Sequence, residues 1–217
     1  MIEFTLWDIL RNLLLAAHWT VLLSLIAFIS GGLVAGVVTM GRISEGRATN
    51  YASRIYIAVL QGTPLLVQLF LAFFGLALLG LDVSPLAAAS LALTLYTSAF
   101  LAEIWRGAIQ SVPRGQWEGA KSLALTRWQQ MRFIILPQAL RVGVAPTVGF
   151  SVQVVKGTAL ASVIGFVELT KAGTVIVNAT FDAFRIYGFV ALFYFVLCYP
   201  LSLGAKALER RMVVKGH

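Results

Sequence analysis

Four stretches of this chain contain no Asp, Glu, Lys or Arg: residues 12–41, 55–81, 83–102 and 186–205. A helix needs roughly 20 apolar residues to cross the hydrocarbon core of a bilayer, and each stretch is long enough. A strand-like or irregular crossing would leave backbone groups unpaired in lipid, so the segments are expected to be helices. A fifth span is placed within 133–167, where Arg141 lies near one end and Lys156 interrupts the run. The chain is therefore expected to be an all-α membrane protein with five spanning helices. Composition agrees, since 59% hydrophobic and 12% charged residues over 217 positions exclude a water-soluble domain.

The net charge is +8, which in a soluble protein would suggest nucleic acid. Here the position of the cations explains it. Arg42, Arg47 and Arg54 follow the first span, Arg106, Arg114, Lys121, Arg127, Arg132 and Arg141 follow the third, and Lys206, Arg210, Arg211 and Lys215 follow the last. The other side receives Arg11, Lys171 and Arg185. The positive-inside rule then puts the N-terminus outside the cell membrane and the C-terminus in the cytoplasm, with no nucleic-acid partner implied. Residues 1–12 are read as an N-terminal segment. It is either an amphipathic interfacial helix with Trp7 near the headgroups or an unstructured tail. Residues 13–208 form the transmembrane domain and 209–217 a cytoplasmic tail.

Local signals mark boundaries. Ser84-Pro85 places a capping hydroxyl before a proline at the first helical position, a start for the third span. In Gln61-Gly62-Thr63-Pro64 the proline removes a backbone donor and disfavours helix at Thr63, so the second span is expected to kink there, with a freed carbonyl needing a protein or water partner. The single cysteine, Cys198, lies in an apolar run and is read as a small buried side chain. No catalytic residue, metal site or cofactor is expected: His18 and His217 are isolated and no phosphate-binding glycine loop is present.

The loop of residues 110–132 is long and has its own helical pattern. Pro113-Arg114-Gly115 reads as a turn, residues 116–123 as a short helix, and Thr126-Arg127-Trp128-Gln129 as the capping box of a second short helix. Trp117, Leu123, Leu125, Trp128 and Met131 among cations suit either a docking surface or an amphipathic hairpin on anionic lipid.

This loop resembles the EAA loop of permease subunits of bacterial ABC importers. Glu118, Ala120, Ile134, Leu136 and Pro137 fall at the family's positions, while Gly119 replaces an alanine and Ala124 a glycine. The turn at Ala124 is expected to survive, with Leu125-Thr126 as the break. Three further blocks are similar to the polar amino acid branch: Gln61 to Gln68, Ala102 to Pro113, and Lys156 to Gly165. The resemblance implies a type I importer permease that pairs with an identical or related permease, a cytoplasmic ATPase dimer, and a periplasmic solute-binding protein. It further implies that Gln116, Trp117, Glu118, Gly119, Ala120, Ser122, Leu123, Ala124, Leu125 and Thr126 form the ATPase-coupling element.

For the substrate path, Lys156 is the prime suspect: either it binds a substrate carboxylate, or it snorkels or pairs with Glu103 or a carbonyl. Gln153 and Thr158 are further candidates. Phe150, beside Gly149 where similar permeases carry polar residues, suggests either lost contacts or a non-binding half of a heterodimer. Gln61, Thr63 and Glu103 each also have an ordinary structural reading. Two other classes remain. A membrane enzyme lacks a nucleophile or carboxylate pair at usable spacing. A stand-alone carrier or channel would call for intramembrane acids or an internal repeat, neither of which the sequence displays.

Overall fold

A computed structural model describes residues 5–213, and all of its regular structure is helical. The elements are α1 (Leu6–Ile43), α2 (Arg47–Gly62), α3 (Leu65–Leu78), α4 (Pro85–Gln110), α5 (Arg114–Ser122), α6 (Arg127–Ile164), α7 (Leu169–Thr180) and α8 (Ala183–Val213). Four of these, α1, α4, α6 and α8, are long and apolar enough to cross a membrane, and α2 with α3 makes a fifth if the bent pair counts as one span. The expected architecture thus holds, and the second span is broken by 102° at Thr63-Pro64.

The helix ends follow the local chemistry. Thr5 caps α1 through a capping box with Asp8, whose amide donates to Thr5 Oγ1 at 3.2 Å. The helix then runs without interruption into the first span, so Leu6 to Asn12 is helical and continuous with it rather than an unstructured tail. Ser84 Oγ accepts from the Ala87 amide at 3.2 Å, with Pro85 at the first helical position of α4. Thr126 and Gln129 form the expected capping box, but the helix it opens is not a second short one. The box caps the first turn of α6, which continues to Ile164 through a wider π turn over Gln130–Ile135 ahead of Leu136-Pro137. A proline lacks the donor and the room for a regular turn before it, and the π turn absorbs both. Glu3, Lys215 and His217 lie outside the described residues, as does the end of the expected tail.

Packing is carried by small side chains. In α1 the buried positions Ala16, Thr20, Leu23, Ala27, Gly31, Ala35 and Thr39 form one stripe, and Ala88, Ala92, Ala99 and Ala102 answer it from α4. Lipid tails are as apolar as leucine, so helix association rests on close contact rather than on hydrophobic contrast. At Gly31 the two helices approach closely: an added Cβ would stand 2.7 Å from the Thr97 side chain. Ser30 and Thr94 hydroxyls share a hydrogen bond of 2.6 Å across the same seam.

The chain ends of the helices sort into two groups. Glu103 of α4 sits 3.6 Å from Arg42 of α1 and 2.5 Å from Arg106. Arg127 of α6 pairs with Glu45 and donates to the Ile43 carbonyl at 3.0 Å. A cavity brings Arg141, Arg210 and Arg211 to Ser111 and Pro113. Arg42, Arg106, Arg127, Arg141, Arg210 and Arg211, cations that follow the first, third and last spans, therefore share one end. At the other end, Ile9, Leu13 and Ala17 of α1 pack with Leu169 and Ile176 of α7 and Ile186 and Val190 of α8.

Candidate coupling loop and translocation pathway

The loop between α4 and α6 folds as one exposed helix, α5, anchored on both sides. Pro113, with φ −55° and ψ 140°, is its N-cap, so Pro113-Arg114-Gly115 opens the helix rather than forming a turn before it. At its C-terminus the Leu125 amide donates to the Ala120 carbonyl at 3.4 Å and the Ala124 amide to the Lys121 carbonyl at 2.9 Å. These two bonds define a Schellman motif whose C′ residue is Ala124. Ala124 has φ 52°, the left-handed region that favours glycine. The turn survives without its glycine, and the reversal falls on Ala124 itself rather than on Leu125-Thr126.

The two faces of α5 differ. Ala120 is buried, and Trp117 packs inward with Met131 and Ile134 against Ala108, Ile109, Val112, Ile135 and Ala139. Glu118, Gly119, Ser122 and Leu123 face outward, with Leu123 71% exposed. Gln138 of α6 donates to Gln116 Oε1 at 3.2 Å and to the Ile134 carbonyl at 2.8 Å, tying α5 to a spanning helix. Trp117, expected as part of the docking surface, instead fastens α5 to its own membrane domain. At Gly119, the replaced alanine position, an added Cβ would meet nothing within 4 Å. Thr126 is used as the cap of α6, and Leu125 is half-buried beneath it.

The substrate-path candidates divide similarly. Lys156 and Gln153 are exposed on α6, one turn apart, and among the described residues Lys156 has no ion pair. Glu103 is taken by Arg42 and Arg106, so its pairing with Lys156 does not occur. Phe150 is 9% exposed and stacks on Phe100 at 5.4 Å inside the core. Thr158 is fully buried and its hydroxyl donates to the Val155 carbonyl at 2.7 Å. Gln61 donates to the Ala99 carbonyl at 3.3 Å, and Thr63 to the Val59 carbonyl at 2.8 Å, so both serve the bend.

Two buried polar side chains that the sequence did not single out hold the elements around the candidate path. Gln68 is buried and its amide nitrogen lies 2.8 Å from the Leu60 carbonyl, 3.1 Å from the Thr63 carbonyl and 3.0 Å from Thr63 Oγ1. It is the partner that the broken helix required, and its position five residues after Thr63 in the same block was the available signal. Glu168 is fully buried in the connection between α6 and α7, outside the long spanning helices. Oε1 accepts from the Lys171 amide at 2.9 Å, capping α7, and Oε2 accepts from the Tyr194 hydroxyl at 2.7 Å. Burial pushes its carboxyl above the ordinary carboxylate range, while those hydrogen bonds pull the other way. An acid enclosed by a cap and a tyrosine is a structural joint rather than the open relay that a carrier would need.

The fold and this loop define a class: a polytopic helical subunit that carries one small helix, rigidly mounted and outward-facing, at its basic end. The chain belongs to the family of binding-protein-dependent transport system inner membrane components, whose model matches residues 29–214. It is accordingly a multi-pass inner-membrane permease subunit of an ABC transporter, a family that works with ATPase and binding-protein partners. The probable glutamine ABC transporter permease protein GlnM of Bacillus subtilis is 39% identical over 90% of this chain and 90% of its own. The glutamine transport system permease protein GlnP of Escherichia coli is 35% identical, covering 96% of each chain. A crystal structure of an amino acid ABC transporter with histidines superposes with a TM-score of 0.89 at 31% identity, over 97% of this chain and 100% of that one. The MetNI methionine ABC transporter shares the fold, with a TM-score of 0.74 at 20% identity over 98% of this chain and 99% of that one.

Proposed function

We propose that this subunit, with a second permease copy, forms the pathway for a polar amino acid handed over by a periplasmic binding protein, and that α5 seats in a cytoplasmic ATPase dimer. The N-terminus then lies in the periplasm and the C-terminus in the cytoplasm, in keeping with the cations gathered at one end. The observation that carries the reading is the two-sided build of α5. Its inner face is locked by Trp117, Ala120 and Gln116 to Gln138, while Glu118, Gly119, Ser122 and Leu123 are left outward. Such a helix transmits displacement, because force on the outer face reaches α4 and α6 without slack. Glu118 supplies charge complementarity and Leu123 an apolar contact for the partner.

The test is Glu118→Lys in the assembled transporter. Reversing one interfacial charge is expected to weaken the joint by about 2 kcal/mol or more, seen as loss of substrate-stimulated ATP hydrolysis and of uptake. Retention of both at wild-type levels would remove α5 from the coupling role. The relatives named for glutamine support an amino acid as cargo. Lys156 is assigned to the substrate carboxylate because it is exposed and lacks an ion pair among the described residues. Lys156→Met is expected to raise the KM for uptake about tenfold, measured in parallel for glutamate, glutamine and arginine; unchanged kinetics for every transported substrate dismiss the assignment.

A further inference from the structure

At the basic end, α6 and α8, with the end of α4 at Ser111, border a cleft in two adjoining parts of about 1020 Å³ and 570 Å³, both lined by Arg141, Val142 and Met212. Four cations line it, Arg141, Lys206, Arg210 and Arg211, against one carboxylate, Glu209. Among the described residues the ion pairs are those of Glu103 and Glu45, and none of them reaches these four cations. The same cations make no side-chain hydrogen bond to described residues, whereas Arg42, Arg106 and Arg127 are all engaged. The cleft is therefore a region of concentrated positive charge, four cations against one carboxylate, with no ion pair formed among its described residues.

Its walls change character with depth. Beside the cations lie Val142, Ala145 and Pro146 of α6 and Ala205 of α8, and further along α8 Leu203 and Tyr199 are 46% and 49% exposed. A cationic mouth continuous with an exposed apolar face matches a phosphate headgroup with acyl chains, and a soluble anion would have no use for the apolar part. Basic pockets between spanning helices on the cytoplasmic side are suited to anionic headgroups in the same way. We infer that the α6–α8 cleft binds an anionic phospholipid of the cytoplasmic leaflet, its phosphate held by Arg141, Arg210 and Arg211 and its chains lying along α8. The inference rests on the cytoplasmic orientation proposed for this end, but not on how α5 engages the ATPase.

The experiment is native mass spectrometry of the purified transporter offered equal amounts of phosphatidylglycerol and phosphatidylethanolamine. The wild-type chain is expected to retain phosphatidylglycerol selectively. Arg141→Gln with Arg211→Gln should weaken that retention roughly thirty-fold, from two lost cations. Arg47→Gln with Arg54→Gln, the same charge change at the same end but on α2, should leave it intact. If the first pair does not assemble, Arg211→Gln alone, at the exposed end of α8, provides the comparison. Equal retention in both double variants overturns the inference. So does loss of the ATPase from the first double variant with lipid binding unchanged, which would make the cleft a protein contact. A failed coupling test at Glu118 leaves this lipid readout unaffected.

Discussion

At the scale of the residue, Ala124 is one of two non-glycine residues, with Phe181, held in the left-handed region among the described residues. A residue with a Cβ in the left-handed region costs about 1–2 kcal/mol, and Ala124 is held there by the hydrogen bonds from its own amide and that of Leu125. Glycine relieves the strain but costs entropy in the unfolded chain, about 0.4–1 kcal/mol. Ala124→Gly is thus expected to stabilise the chain by roughly 0.5–1 kcal/mol. Ala124→Val should destabilise it, because branching at Cβ worsens the same clash. Thermal unfolding of the detergent-solubilised protein decides the matter: a lower midpoint for Ala124→Gly would contradict the strained turn. The departure from the family's glycine was visible in the sequence, but whether the turn or the residue would yield was not. The answer depended on two hydrogen bonds that close around it.

At the scale of the element, the break between α2 and α3 shows how a helix end survives inside a membrane. Bending by 102° removes carbonyl partners at Leu60 and Thr63, and Gln68 reaches back to both. Gln61 ties the same segment to the Ala99 carbonyl, and Tyr56 and Ser98 share a hydrogen bond of 2.6 Å between α2 and α4. Replacing Gln68 by leucine keeps the volume and removes the donors, leaving two carbonyls unpaired in an apolar setting. The expected cost is about 2–4 kcal/mol, read as a lower midpoint in denaturant or heat and as greater protease sensitivity around residue 63. An unchanged midpoint would mean that water or a second subunit satisfies those carbonyls. Pro64 announced the break. The agent that satisfies it, Gln68, lies in the same sequence block, but its reach to both carbonyls follows from the bend that brings it back.

At the scale of the whole molecule, the end opposite the cations is held by a network around Glu168. It joins α7 to α8 through Tyr194, while Thr20 of α1 accepts from the Leu169 amide at 3.1 Å and Thr170 shares a hydrogen bond with Tyr194 at 3.0 Å. Glu168→Ala removes a helix cap and one of the two partners of the Tyr194 hydroxyl, leaving it Thr170 alone, for an expected loss of about 1–3 kcal/mol. Tyr194→Phe should cost about 1 kcal/mol, and the double variant less than the sum, because both substitutions remove one shared bond. Additive losses in thermal unfolding would show that the two side chains do not act together.

The sequence by itself determined the helical type of the spanning segments and where they lie, the capped starts at Ser84 and Thr126, the break at Pro64, and a helix within residues 110–132. Each of these is set by charge-free length or by contacts within about four residues, so neighbours along the chain suffice to specify them. Only the tertiary structure decided that Trp117 turns inward, that Glu103 belongs to Arg42 and Arg106 rather than to Lys156, that Phe150 is core, and that Glu168 is enclosed. Apolar positions in a membrane helix carry no contrast between lipid and neighbour, so a stripe of alanines does not reveal its partner. A charge likewise finds its counter-ion by proximity in space, which sequence order leaves open until the helices have packed.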